Sequence, residues 1–310
     1  MKRFNNILFV LDGDTEKQPI VTSIVQNLAI RNNASVRVVK LLDEAIIDSF
    51  GKQFSERIKG LIELEQRYAS QELEQVLADP GWQGLSTVGE LVTGKDFITV
   101  IRKVLEDEHD LVIKARNTLV ATDHFAMRLF RKCPCPVWII NATGRQPFKT
   151  IVGAVDLANT EKACWQLNKK IVELTYSMAD MVQGEAHFVH AWQLAYEKSM
   201  RSPRFRFGDM EIETMKRELV TSRSSDFAQL FDQVGMTIHA DHIHLTEGPP
   251  DTVITETLQK LNGDVLIMGT VARTGVPGLL IGNKAEILLS KVQCTVLAVK
   301  PNGFISPVTL

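Results

Sequence analysis

Phe4-Asn5-Asn6-Ile7-Leu8-Phe9-Val10-Leu11-Asp12 and Phe148-Lys149-Thr150-Ile151-Val152-Gly153-Ala154-Val155-Asp156 align without a gap at an offset of 144 residues. Each is a short apolar run that ends on an aspartate, the pattern of a strand buried on both faces. A longer match joins Gly94 through Lys114 to Gly248 through Met268 at an offset of 154, and both copies read turn, amphipathic helix, strand. Cys135 to Ile140 and Cys294 to Val299 form a third pair, each a β-rich run that closes its half. The chain is therefore a duplication. Asn141 to Pro147, polar and carrying Gly144, reads as the linker, and the domains are expected at 1–143 and 146–310.

Inside each half, β-branched runs alternate with helical periods, which predicts βαβ units and an open, mostly parallel five-stranded sheet with helices on both faces. In the first half, strands are expected at 5–12, 35–41, 84–92, 110–115 and 136–140, with helices near 17–31, 42–79, 95–107 and 120–132. The second-half strands are expected near 149–156, 185–191, 236–245, 264–268 and 294–299, with the longest helix at about 210–234. Asp12 and Asp156 each end a first strand, where open parallel sheets place groups that touch ligands; a helix N-cap or loop carboxylate is the alternative.

The chain has 310 residues, 45% of them hydrophobic and 23% charged, which excludes wholesale disorder and fibrous repeats. Thirty-five Lys and Arg against 37 Asp and Glu leave a net charge of −2, so there is no global basic field for coating DNA or acidic lipid, and any anion site must be local. The apolar run Ile7–Leu11 is too short for a signal peptide, and no stretch approaches the ~18 apolar residues of a membrane span. Four cysteines, unevenly spaced, fit a reducing compartment, and a cytoplasmic protein is expected. Cys133-Pro134-Cys135 has one residue between its thiols and reads as two buried thiols at a turn.

The segment from Met268 to Ile287 contains Gly269, Gly275, Gly278 and Gly282 and runs from a strand into a helix. Amides of such a turn can surround phosphate oxygens, and the helix N-terminus favours negative charge; a purely structural loop is the other reading. Asn283 separates Gly282 from Lys284, so this is not a Walker A loop. The duplication, the strand-ending aspartates and this segment together resemble the universal stress protein family in its tandem, two-domain form. That resemblance implies the adenine-nucleotide α-hydrolase-like version of the Rossmann-like fold. Members that bind ATP carry Gly-x-x-Gly, nine residues, then Gly-Ser/Thr, which falls here on Gly269, Ala272, Gly282 and Asn283. Two of the four positions are altered, and Asn283 retains a donor in its amide. By resemblance, Asp156 would lie near ribose or phosphates, Val189 near the base, and Gly269, Gly282 and Asn283 around the phosphates. ATP or a related adenine nucleotide is thus a ligand expected of the second domain only, since the matching first-half segment, Lys114 to Arg128, contains no glycine. The resemblance also implies a role in surviving stress, DNA damage included, and pairing of last strands into an internal pseudo-dimer, with Trp138 and Ile140 against Leu297 and Val299.

Three further features carry readings of their own. His242 and His244 alternate onto one strand face and, with Asp241, make a zinc set conceivable, although exposed strand histidines are the simpler account and zinc is not the expectation. Arg201, Arg204 and Arg206 interleave with Phe205 and Phe207, a pattern for gripping an anionic, partly apolar ligand; a solvated loop anchored by its aromatics is the alternative. No GxSxG elbow, HExxH or kinase signature is present. The expected function is a cytoplasmic stress-response binding or regulatory module with small-ligand and protein partners. A slow ATP hydrolase and a carrier or sensor of an anionic or lipid-like ligand are the rivals.

Overall fold

The computed structural model describes residues 3–11, 18–43, 57–94, 96–118, 120, 122–270 and 283–310. The first half runs β1 (Asn6–Leu11), α1 (Gln18–Asn32), β2 (Ser35–Asp43), α2 (Arg57–Leu77), β3 (Thr87–Gly94), α3 (Asp96–Glu106), β4 (Leu111–Ala115), α4 (His124–Lys132) and β5 (Val137–Ile140). The second runs β6 (Thr150–Ala154), α5 (Lys162–Val182), β7 (Glu185–Trp192), α6 (Glu197–Met200), α7 (Asp209–Val234), β8 (Ile243–Glu247), α8 (Pro250–Leu261), β9 (Val265–Gly269), α9 (Asn283–Lys291) and β10 (Thr295–Val299).

Residues 3–146 and 293–310 form one compact unit, and 147–270 with 283–292 a second. In the first, the strand order is β3-β2-β1-β4-β5-β10. The first five are parallel, and β10 joins antiparallel to β5 with Leu297 opposite Trp138 and Val296 opposite Ile139. That ladder is why residues 293–310 pack with the first unit rather than with the half that precedes them. Of the expected pairing residues, Trp138 and Leu297 meet, while Ile140 and Val299 fall towards opposite ends of the ladder because the strands run in opposite directions. The second unit has the order β9-β6-β7-β8, all parallel.

Helices on both faces bury the central strands completely, so β1 and β6 read as unbroken apolar runs: Ile7 to Leu11 and Ile151 to Val155 are all buried. The edge strands β3 and β8 are only half-buried and correspondingly polar. On one face of β7, Phe188 enters an aromatic cluster with Tyr176 of α5 and with Phe227 and Phe231 of α7. The cluster holds the long α7, whose ends are set by a Gly208 N–H donating to the Glu211 carboxylate at 2.8 Å and by Gly235 at φ 68°. The duplication extends to single side chains. Asp110 accepts from the amides of Asn5 and Asn6, and Asp264, its match, accepts from those of Lys149 and Thr150. Each carboxylate ties the start of a first strand to the strand beside it. Most expected elements fall within a few residues of those observed. The expected strand 236–245 is shorter, beginning at Ile243, because Ala240–His242 turns as a 3₁₀ helix first. Of the expected helix 42–79, the described part is α2, and residue 43 still belongs to β2.

Candidate functional site

In the second unit β7 lies on one side of β6 and β9 on the other, so the chain reverses its winding between β6 and β9; ligand crevices in such sheets open at the carboxyl ends of those two strands. Asp156 follows β6 and Gly269 ends β9. The backbone of Asp156 is clamped by Asn168 of α5, whose side-chain oxygen accepts the Asp156 N–H at 3.0 Å while its amide donates to the Asp156 carbonyl at 2.9 Å. The half-exposed Asp156 carboxylate accepts from the Ala158 N–H at 3.1 Å, which fixes the turn, and Arg223 of α7 donates to the Leu157 carbonyl at 2.8 Å. Gly269 has a packing reason of its own: a Cβ there would lie 2.7 Å from Leu167 Cδ2, so the bare backbone lets α5 sit close on β9. Val189 lies mid-strand, fully buried and in register with Ala154 and His244. Asn283 opens α9, and Ala272 and Gly282, like Asp12 in the first half, lie outside the described residues.

The same place in the first unit is built differently. Lys114 and Ala115 stand where Met268 and Gly269 stand in the second. The fully buried Lys114 ammonium donates to Asp123 at 3.0 Å and to the Ala115 carbonyl at 2.8 Å, and lies 5.2 Å from the centre of the Phe125 ring. Asp123 also accepts from the Asn117 and Ala126 amides, capping α4. At the carboxyl end of β4, then, an internal ion pair holds the chain.

The basic loop is split in its roles. Arg201 is bound by its own chain, 2.6 Å from Asp209 and 2.9 Å from Glu197, which also receives Lys216 at 3.0 Å. Lys216 and Arg201 hold the half-buried Glu197 carboxyl below the usual carboxylate range. Arg206, at φ 53°, donates to the Pro203 carbonyl, and Arg204 is exposed. The aromatics do not anchor the loop: Phe205 is 58% exposed, and Phe207, Tyr196 and Met210 are exposed beside it.

The histidines form a third group, at the opposite end of the second sheet. His242, from the 3₁₀ turn before β8, and His244, from β8, both reach His187, while Asp241 pairs with His239 at 3.2 Å. Two residues of β7 that the sequence reading missed complete the group. His187 stacks on His242 with ring centres 4.3 Å apart, its Nδ1 lies 3.2 Å from His244 Nε2, and its Nε2 lies 3.5 Å from the Glu185 carboxylate. Burial, then the neighbouring imidazoles and Lys260, pushes His244 down to about 4; burial and His242 lower His187 as well, so both rings are neutral near pH 7.

Two doubly wound α/β domains in tandem, each with a switch point in its strand order, define the class. The universal stress protein family matches residues 3–141 and 147–300, and the chain belongs to that family. Universal stress protein E of Photorhabdus laumondii is 26% identical over 99% of this chain and 98% of the relative. The homologue from Haemophilus influenzae is 27% identical over 97% and 98%, and the Escherichia coli protein 30% identical over 70% and 68%. Among solved structures, a universal stress protein from Pseudomonas aeruginosa superposes with a TM-score of 0.67 at 23% identity, covering 97% of this chain and 94% of that one, a likeness of fold. Among the described residues, no helix is long and apolar enough to cross a membrane.

Proposed function

We propose that this universal stress protein is a stress-response binding and regulatory module whose second domain takes a small anionic ligand of the adenine-nucleotide class, and whose first domain takes none. The observation that carries the reading is the contrast between the two switch points. Asp156 and Gly269 border the second, whereas Lys114 and Asp123 close on each other beside the first. A phosphate entering the first site would have to displace a carboxylate that already accepts one charged and two amide hydrogen bonds, which is costly for a buried pair. The antiparallel β5–β10 ladder supports a further part of the reading, that the halves act as an internal pseudo-dimer through their last strands. Resistance to stress such as DNA damage, and a cytoplasmic setting, follow from the family reading.

Calorimetric titration of the full chain with ATP tests the assignment. One site per chain, weakened at least tenfold in Asp156→Ala, is the expected result; no heat of binding with ATP, or binding indifferent to Asp156→Ala, overturns it. A second reading is favoured by the exposed Tyr196, Phe205, Phe207 and Met210 beside Arg204 and Arg206: this surface contacts an anionic, partly apolar ligand. Native mass spectrometry of freshly purified protein separates the two by the mass that co-purifies.

A further inference from the structure

The imidazole group gathers at the amino end of β7 and β8, the end of the sheet opposite the switch point. Three ligand atoms, one each from Glu185, His187 and His242, lie within 4.8 Å of one another. A tetrahedral zinc with bonds of about 2.0–2.2 Å separates its ligand atoms by roughly 3.4 Å, and the His187 Nε2 to Glu185 Oε2 distance is 3.5 Å. Each ring has one nitrogen engaged by an outer hydrogen bond. His242 Nδ1 lies 3.0 Å from the Ala186 carbonyl, which can only accept, so Nδ1 carries the proton and Nε2 keeps its lone pair. His187 Nδ1 faces His244 Nε2 at 3.2 Å; donation in that direction leaves the His187 Nε2 lone pair on the side of Glu185. Ring orientation by an outer hydrogen bond is what metal-ligating histidines need.

We propose that Glu185, His187 and His242 bind a divalent transition-metal ion of the zinc class, with His244 as a positioning residue behind His187. Two imidazoles and one carboxylate suit zinc, or copper and nickel above it in intrinsic affinity, rather than magnesium or calcium, which prefer oxygen. The Glu185 side chain is 67% exposed and His242 is half-buried, so an ion can enter from solvent and keep water in its fourth position. Bound there, it clips the edge strand β8 to β7.

The test uses the full chain without a histidine tag, stripped with chelator and dialysed, then titrated with ZnCl₂ by calorimetry. The expected result is one site per chain, with affinity lowered at least tenfold in His242→Ala and in Glu185→Gln, both at accessible positions whose replacement leaves the core intact. His244→Leu is expected to lose about 10–100-fold in affinity, the range for outer hydrogen-bond partners, and His244→Gln, whose amide oxygen accepts the same bond, to keep most of it. Thermal unfolding in chelator should be alike for the wild type and the two accessible variants, while zinc raises the midpoint of the wild type alone. Absence of zinc binding overturns the proposal, as does binding of equal strength in His242→Ala and Glu185→Gln. Neither outcome bears on ATP binding, which is scored at Asp156.

Discussion

Lys300 provides a quantitative check on the packing of the first unit. It follows β10 and is almost fully buried, with its ammonium donating to the Phe130 carbonyl and lying 4.7 Å from the centre of the Phe304 ring. Burial pulls it from 10.5 down to about 8, with Cys133 and Cys135 opposing the shift. At 1.36 kcal/mol per pH unit, that difference corresponds to about 3 kcal/mol of destabilisation wherever the ammonium is charged in both states. The sign follows from proton counting. Between about 8 and 10.5 the unfolded chain binds the proton and the folded chain does not, so stability rises with pH across that window; below about 8 the penalty is fully present. Lys300→Met keeps the length of the side chain and removes the charge. Urea unfolding of the two proteins across this range should show the variant more stable near pH 7 by ~2 kcal/mol, after ~1 kcal/mol for the lost hydrogen bond. The gap should close as pH rises, and groups that do not interact with Lys300 cancel in the difference. Parallel pH profiles would refute the reasoning.

Asp123→Asn should cost about 3–5 kcal/mol in urea unfolding, since it strips a buried ammonium of its carboxylate; Lys114→Met in the same chain should recover much of that loss. Gly184→Ala places a Cβ 2.4 Å from the Lys149 carbonyl oxygen, and backbone cannot yield as a side chain can, so a drop of at least ~1–3 kcal/mol is expected by the same assay. Trp138→Ala empties a fully buried site on the β5–β10 ladder and should lower stability by ~3–5 kcal/mol, read as an earlier thermal midpoint.

The strands buried on both faces were legible because they read as near-continuous apolar runs, and the ungapped repeat supplied the order of elements twice over. Trp138 opposite Leu297 was an expectation of the family resemblance, in which last strands pair. Boundaries failed where local geometry overrode pattern: after the left-handed Gly235 the chain turns through Ala240–His242 before β8 can begin. The site was legible in part. Asp156 and Gly269 sit at strand ends where topology places ligands, but the packing of Gly269 on Leu167 depends on helix approach, which no sequence period reports. His187 lies 57 residues from His244 and was missed because only strand register joins them. A signal was present: Glu185 and His187 are two apart at the start of a strand, the spacing that puts both on one face.

That corner of the sheet also shows how one scaffold takes on two electrostatic solutions. Counting from the matched pairs Asn6 with Ser35 and Thr150 with Glu185, Arg37 of β2 and His187 of β7 hold the same place. In the first unit Arg37 meets Glu90 of β3 at 2.7 Å, Lys103 of α3 reaches the same carboxylate at 3.0 Å, and Asp107 lies 3.4 Å from Arg37. Burial works against the Glu90 charge, but Lys103 and Arg37 outweigh it and hold its carboxyl below the usual range. Two cations thus balance two carboxylates. In the second unit the position of Glu90 falls on His244 and that of Val88 on His242, leaving three imidazoles and Glu185 with neither an arginine nor a lysine in the place of Arg37. A divalent ion at the site proposed above would supply there the positive charge that Arg37 and Lys103 bring to the first unit. The two units thus differ at both ends of the sheet: at this corner an ion-pair network in the first stands against an imidazole group in the second, and at the switch point the Lys114–Asp123 pair in the first stands against Gly269 in the second.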